Sequence, residues 1–231
     1  MTTDQRMTRR ERLRAETTRE ITTIALRQMA EDGPGAISLR GIAREMGMTA
    51  RAIYGYFATR DELITALIGD VSASLADALE AARDAAPADP GSRLLAWGRA
   101  LREWAVANPE GFRLVYGDPV PGYQPPGEGP ADQAGRRICG GLNRLVAEAC
   151  AAAPANGFDW PDFPPDYRAK VRAEVPDLSP AVAALAVRVW GRMHGLVTLE
   201  VFGHLRAVST DPAALYHAEL LDLVNSLAPR S

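Results

Sequence analysis

The sequence predicts an all-α protein built as two helical domains, and three observations carry that prediction. Apolar residues recur at 3.6-residue spacing from end to end, and no alternating run rich in Val or Ile interrupts them. The stops between these stretches hold Gly and Pro, and Ser, Thr or Asp residues suited to capping stand at the restarts. At 231 residues, with 47% hydrophobic and 24% charged residues, the chain is long enough to bury two cores.

The elements follow in order. Ile21, Ile24, Ala25 and Met29 give a first apolar stripe, which "EDGPGA" at 31–36 stops. Ser38 caps a short second helix through Leu39, Ile42, Ala43 and Met46, and Gly47 ends it. Thr49 caps a third helix held inward by Ile53 and Phe57, and "TRDE" at 59–62 is a capping box that opens a fourth. That fourth helix, expected over about 60–86, runs through Leu63, Leu67, Val71, Leu75 and Leu79 and connects a domain at 1–65 to one at 87–231. Helices carrying Leu94, Trp97, Leu101 and Trp104, then Phe112 and Tyr116, follow, before the Pro/Gly loop at 117–130. A helix is expected from about Ala131 to Ala153, and an aromatic loop covers 154–167. A long helix from Pro180 to about Val208 and a last one from Asp211 to Leu227 complete the chain.

Charge is segregated. Residues 1–65 hold 11 Arg against 9 Asp plus Glu, a surplus of two, which leaves −5 of the net −3 for the remainder. Arg6, Arg9, Arg10, Arg12 and Arg14 form a cationic arm fit to reach phosphates, or equally a solvated helix start. Cys139 and Cys150 fall about 16 Å apart along a helix, too far to bridge, and are expected as reduced core residues. With no apolar run of membrane length and a charged N-terminus, the expected location is the cytoplasm, with no membrane contact.

Three short helices with a Gly turn between the second and third describe a helix-turn-helix unit. Turning about 100° per residue from Ile53, Phe57 and Ala50 fall near the core side, whereas Arg51 and Gly55 fall opposite, flanked by Ala52 and Tyr54. One long donor-rich side chain, two small positions and a tyrosine hydroxyl suit a DNA major groove, with Arg51 reading a guanine edge and Tyr54 a phosphate. A solvated face would have carried Glu or Lys, and Gly there costs helix stability.

The stretch "SLRGIAREMGMTARAIYGYFATRDEL" resembles the DNA-binding segment of the TetR family of transcriptional regulators. The match runs through Ile42-Ala43, Gly47, Thr49, Tyr54, Tyr56-Phe57 and Glu62-Leu63. The resemblance implies that Arg40 meets the groove or backbone and that Thr49 and Tyr54 bind phosphate. Arg60 stands where the family usually has a phosphate-binding Lys, and Tyr56 replaces the commoner His. The candidate DNA-contact set is thus Ser38 and Arg40, then Thr49, Ala50, Arg51, Tyr54, Gly55 and Tyr56, then Arg60.

Beyond about residue 75 the resemblance narrows to "NPEGFRLVYGDP" at 108–119 and "VWGRMHGLVTLEVFGHL" at 189–205, similar to family members with a WHG-type C-terminal domain. The helix from Pro180 is apolar on most sides and must be covered twice, by its own core and by a second subunit. The last two helices are therefore the expected homodimer interface, which the resemblance also implies. Trp97, Trp104, Phe112, Tyr116, Trp190, His194 and Phe202 are candidates to line an apolar effector cavity, or equally to fill a core. Trp190 and His194, at i and i+4, are the foremost pair.

The expected function is a homodimeric repressor that binds a pseudo-palindromic operator and is released by a small apolar effector. The alternative is a regulator whose C-terminal domain binds a protein or no ligand. No cofactor or metal is expected, because His194, His204 and His217 lack ligand spacing. Enzyme motifs are missing: there is no Gly-x-Ser-x-Gly, no phosphate loop and no His-Glu-x-x-His.

Overall fold

The computed structural model describes residues 8–150 and 157–227. Every regular element among them is helical: α1 (Arg9–Asp32), α2 (Leu39–Glu45), α3 (Ala50–Ile53), α4 (Arg60–Ala85), α5 (Pro90–Ala107), α6 (Pro109–Tyr116), α7 (Pro130–Ala149), α8 (Pro165–Glu174), α9 (Pro180–Val201) and α10 (Pro212–Leu227), with 3₁₀ turns at Pro34–Ala36 and Trp160–Asp162. No described helix is long and apolar enough to cross a membrane.

The chain packs as two units, and the division is not a single cut. One unit holds residues 1–69 together with 110–127; the other holds 70–109 together with 128–231. In the first, Ile21, Ile24, Ala25 and Met29 of α1 close over Leu39, Ile42 and Ala43 of α2, with Ile53, Phe57, Leu63 and Ile64 completing the core. Gly47, at φ +66°, supplies the left-handed turn between α2 and α3 that a side chain would strain. Thr59 donates the opening cap of α4, its Oγ1 accepting from the Glu62 amide at 3.1 Å. The return half of the box lands one residue early, because the Glu62 carboxylate takes the Ala58 amide at 2.8 Å.

In the second unit α5, α7, α9 and α10 pack on one another and α8 lies on α7. Close approach is bought with glycine: a Cβ on Gly141 would sit 2.5 Å from the Trp97 ring, and one on Gly98 2.5 Å from Leu220. Arg102 of α5 forks onto Glu200 of α9 through two bonds of 2.8 and 2.6 Å. Arg137 of α7 ties back to Asp77 and Glu80 of α4.

Three elements differ from the sequence expectation. α9 stops at Val201 rather than near Val208, because Gly203 turns left-handed at φ +82° and the His204 amide folds back onto the Leu199 carbonyl at 2.8 Å. α7 ends at Ala149, and the rest of its expected span lies at or outside the limit of the described residues. α8 is a helix that the 3.6 periodicity did not announce, since Tyr167 and Val171 are its only large apolar pair. Cys139 is exposed and Cys150 half-buried, so neither is a core residue and the two form no disulfide.

Candidate nucleic-acid interface

The first unit presents the second and third helices with their caps outermost. Ser38 caps α2, its Oγ accepting from the Gly41 amide at 3.3 Å, and Thr49 caps α3, its Oγ1 accepting from the Ala52 amide at 3.2 Å. Both hydroxyls therefore have local duty and remain at the surface. Arg40, Ala50, Arg51, Tyr54 and Gly55 are all exposed, while Ile53 is fully buried. Ala50, placed near the core side by helical rotation, is instead open, because α3 makes only one α-turn and Ala50 is its first residue.

After Ile53 the backbone tightens. The Gly55 amide donates to the Ala52 carbonyl at 3.1 Å and the Tyr56 amide to the Ile53 carbonyl at 2.9 Å, both i to i+3. This carries Tyr54 and Gly55 onto the outer rim of the turn and returns Phe57 to the core.

Two arginines have roles that differ from a loose cationic contact. The arginine cluster begins α1 rather than forming an arm: Thr8 and Glu11 close a capping box, which lowers the Glu11 carboxyl pKa, and Arg9 to Arg14 are helical. Arg6 lies outside the described residues. Arg14 donates to the Gly55 carbonyl at 2.9 Å, and its guanidinium lies 4.9 Å from the Tyr56 ring centroid. The start of α1 is thereby tied to the end of the recognition turn. The intervening groove is walled by Arg9, Arg10, Leu13 and Thr17, a cationic surface open to solvent.

Arg60 is turned onto the protein. Its Nε donates to the Ile37 carbonyl at 2.9 Å, one terminal nitrogen to the Pro34 carbonyl at 3.2 Å and the other to the Pro121 carbonyl at 3.4 Å. The donors that a phosphate would need already hold the turn before α2 and the Pro/Gly loop. A phosphate role for Arg60 thus meets direct competition from its own chain, through carbonyls 23, 26 and 61 residues away.

The seven aromatic and imidazole candidates divide between the two units, Phe112 and Tyr116 in the first and the other five in the second. Trp97 and Trp104 are core residues, with the Trp104 indole N–H donating to Ser74 at 3.1 Å. Phe112 is buried, pairs with Tyr116 at 5.1 Å between centroids, and belongs with it to the first unit. Trp190 and Phe202 are each 41% exposed. The His194 ring packs tilted against Trp190 with centroids 4.8 Å apart, and burial holds its pKa down to about 4, so it is neutral at physiological pH. The second unit does contain a cavity of about 190 Å³ between α7 and α8, and none of the seven lines it.

Comparison with known proteins agrees with this geometry. Residues 21–67 match the family model for bacterial regulatory proteins of the tetR family, and residues 94–223 match the tetracyclin repressor-like C-terminal domain. HTH-type transcriptional regulators Mb1846 of Mycobacterium bovis and Rv1816 of Mycobacterium tuberculosis are each 37% identical over 218 residues, covering 90% of this chain and 91% of theirs. A crystal structure titled as regulatory protein SCO4313 superposes with a TM-score of 0.75 at 35% identity, over 94% of this chain and all of that one.

Proposed function

The chain belongs to the TetR family of bacterial regulatory proteins and is a DNA-binding transcriptional regulator; from that premise we propose that it is a homodimeric repressor released from a pseudo-palindromic operator by a small apolar effector. The observation that carries the DNA half is the exposed rim of α3, where Arg51, Tyr54 and the bare Gly55 stand outward while Ile53 anchors the turn. Arg51 reads a base edge, and Thr49, Tyr54 and the arginines at the start of α1 meet phosphates. Ser38, Arg40, Ala50 and Tyr56 complete the contact surface.

The dimer half rests on α9 and α10. Val187, Trp190, Leu199, Phe202, Leu215 and Leu221 are large apolar residues left at 40–45% exposure on these two helices. Gly191 and Gly195 add open backbone, with no atom within 4 Å of where a Cβ would stand. Isolated apolar residues on a surface are ordinary, but six on one helix pair mark an interaction face. A second copy of the same pair covers it with two-fold symmetry, the symmetry that a pseudo-palindromic operator with half-sites one or more DNA turns apart requires.

Fluorescence anisotropy against duplex from upstream of its own gene, with random duplex as competitor, tests the reading. Tight binding that survives the competitor, by a species that light scattering shows to be a dimer, supports it. A monomer at micromolar concentration removes its geometric basis.

A further inference from the structure

The cleft between α7 and α8 has the features of a built site. From α7, Gly135, Cys139, Gly140 and Asn143 fall on one stripe at three- and four-residue spacing, and Tyr167 and Val171 of α8 face them across about 190 Å³. An apolar cavity of about 150 Å³ accommodates benzene, so this volume corresponds to one ring or two fused rings.

Its charges sum to zero. Asp132 accepts from Lys170 at 2.7 Å and from Arg136 at 2.5 Å, and Glu174 is the fourth charged group on the wall, so two carboxylates balance two cations in number. No surplus charge remains to favour an ionised guest.

The most buried uncharged polar side chain on the wall is Asn143, which is only 4% exposed and lines the cavity. Its amide can both donate and accept, so a guest that presents one N–H, O–H or C=O gives it a direct partner in place of solvent. The floor beside it is flat, because Gly135 brings no side chain and nothing lies within 4 Å of where its Cβ would stand.

We propose that the α7–α8 cleft binds a neutral planar molecule of one or two fused rings carrying one hydrogen-bonding group, which the Asn143 amide reads. This rests on the effector-controlled regulator described above and gives its effector a chemical class. The site is distinct from the Trp190–His194 pair on α9.

Cys139 is an exposed thiol on the cavity wall and serves as a built-in reporter. The test compares indole with benzothiophene, of the same bicyclic shape but without the N–H, by following iodoacetamide alkylation of the full-length chain by mass spectrometry. Cys150 is the internal reference. Indole at about 1 mM is expected to slow Cys139 alkylation by about tenfold with little change at Cys150, and benzothiophene to protect several-fold less, since a site built to bond one group rejects the analogue lacking it. Asn143→Leu should bring the two probes to within about twofold of each other, and Gly135→Leu, which favours the helix while filling the cavity, should abolish protection.

Unchanged Cys139 kinetics in indole, or an indole preference that survives Asn143→Leu, overturns the proposal. DNA anisotropy run alongside separates the two readings. Protection without specific DNA binding overturns the regulator reading and leaves the cavity standing, whereas specific DNA binding without protection overturns the cavity alone.

Discussion

Arg60→Ala distinguishes a phosphate contact from an internal clamp. The guanidinium donates at 2.9 Å to Ile37, at 3.2 Å to Pro34 and at 3.4 Å to Pro121. Hydrogen bonds from a charged donor contribute about 1.5–3 kcal/mol each. The bond to Pro121 is long and exposed and adds little, while the other two are part-buried and fall toward the low end. Removing the side chain is therefore expected to cost about 2–4 kcal/mol, felt where the turn enters α2. At about 1.4 kcal/mol per tenfold, amide exchange over residues 34–45 should accelerate roughly 30- to 700-fold, read by hydrogen–deuterium exchange of peptides from that segment. The salt dependence of DNA binding should keep its slope, because no counterion-releasing contact has been lost. A slope reduced by about 0.9, the value of one phosphate, with exchange unchanged, would refute the clamp and restore the phosphate role.

Three further outcomes follow from the same structure. Arg51→Ala should weaken operator binding by about 1–3 kcal/mol and relax sequence preference, whereas Tyr54→Phe should weaken operator and random duplex alike; equal losses on both DNAs from Arg51→Ala would remove its base-reading role. Trp190→Glu places a charge on the exposed α9–α10 face and should yield a monomer by light scattering with the fold retained by circular dichroism; a persistent dimer would move the interface elsewhere. His194 is held neutral in the fold with a pKa of about 4 against about 6.5 when unfolded, so its contribution is intact above pH 6.5 and declines as pH falls toward 4. Between pH 7 and pH 5 it accounts for at most about 2 kcal/mol of lost stability, which His194→Gln should largely abolish; equal pH dependence of melting in both proteins would contradict the buried imidazole.

Periodicity made the helices legible because each buries a stripe at fixed spacing. Ile21, Ile24, Ala25 and Met29 are all buried, as are Leu63, Leu67, Leu75 and Leu79. The caps were legible for a similar reason, since Ser38, Thr49, Ser179 and Asp211 satisfy orphan amides within three residues of themselves. What depends on distant partners was not. The clamp at Arg60 requires carbonyls 23, 26 and 61 residues away in sequence. The tie from Arg14 to Gly55 spans 41. The cavity was missed because four of its ten lining residues sit on α8, whose Tyr167–Val171 pair is too weak a signal, and because Gly135 and Gly140, having no side chain, add nothing to an apolar stripe. Aromatic residues drew attention instead, yet Trp97 and Trp104 are what fills the core.

Under the proposed function the effector's signal has to pass between two units that the chain joins at three points: residues 69–70 within α4, 109–110 at the start of α6, and 127–128 before α7. The segment at 110–127 is not a passive loop in the first unit. Pro121 accepts from Arg60, whose other donors hold Pro34 and Ile37, and Tyr123 shares a 2.9 Å hydroxyl bond with Thr65 of α4. Ile37 is followed directly by the Ser38 cap of α2. A displacement of 110–127 therefore reaches the start of the helix-turn-helix through one side chain, without requiring the recognition turn itself to deform. Under the proposed regulation an effector need shift this equilibrium only by the ratio of its affinities for the two states, and the Arg60 clamp sets how much of that ratio the DNA-binding surface feels.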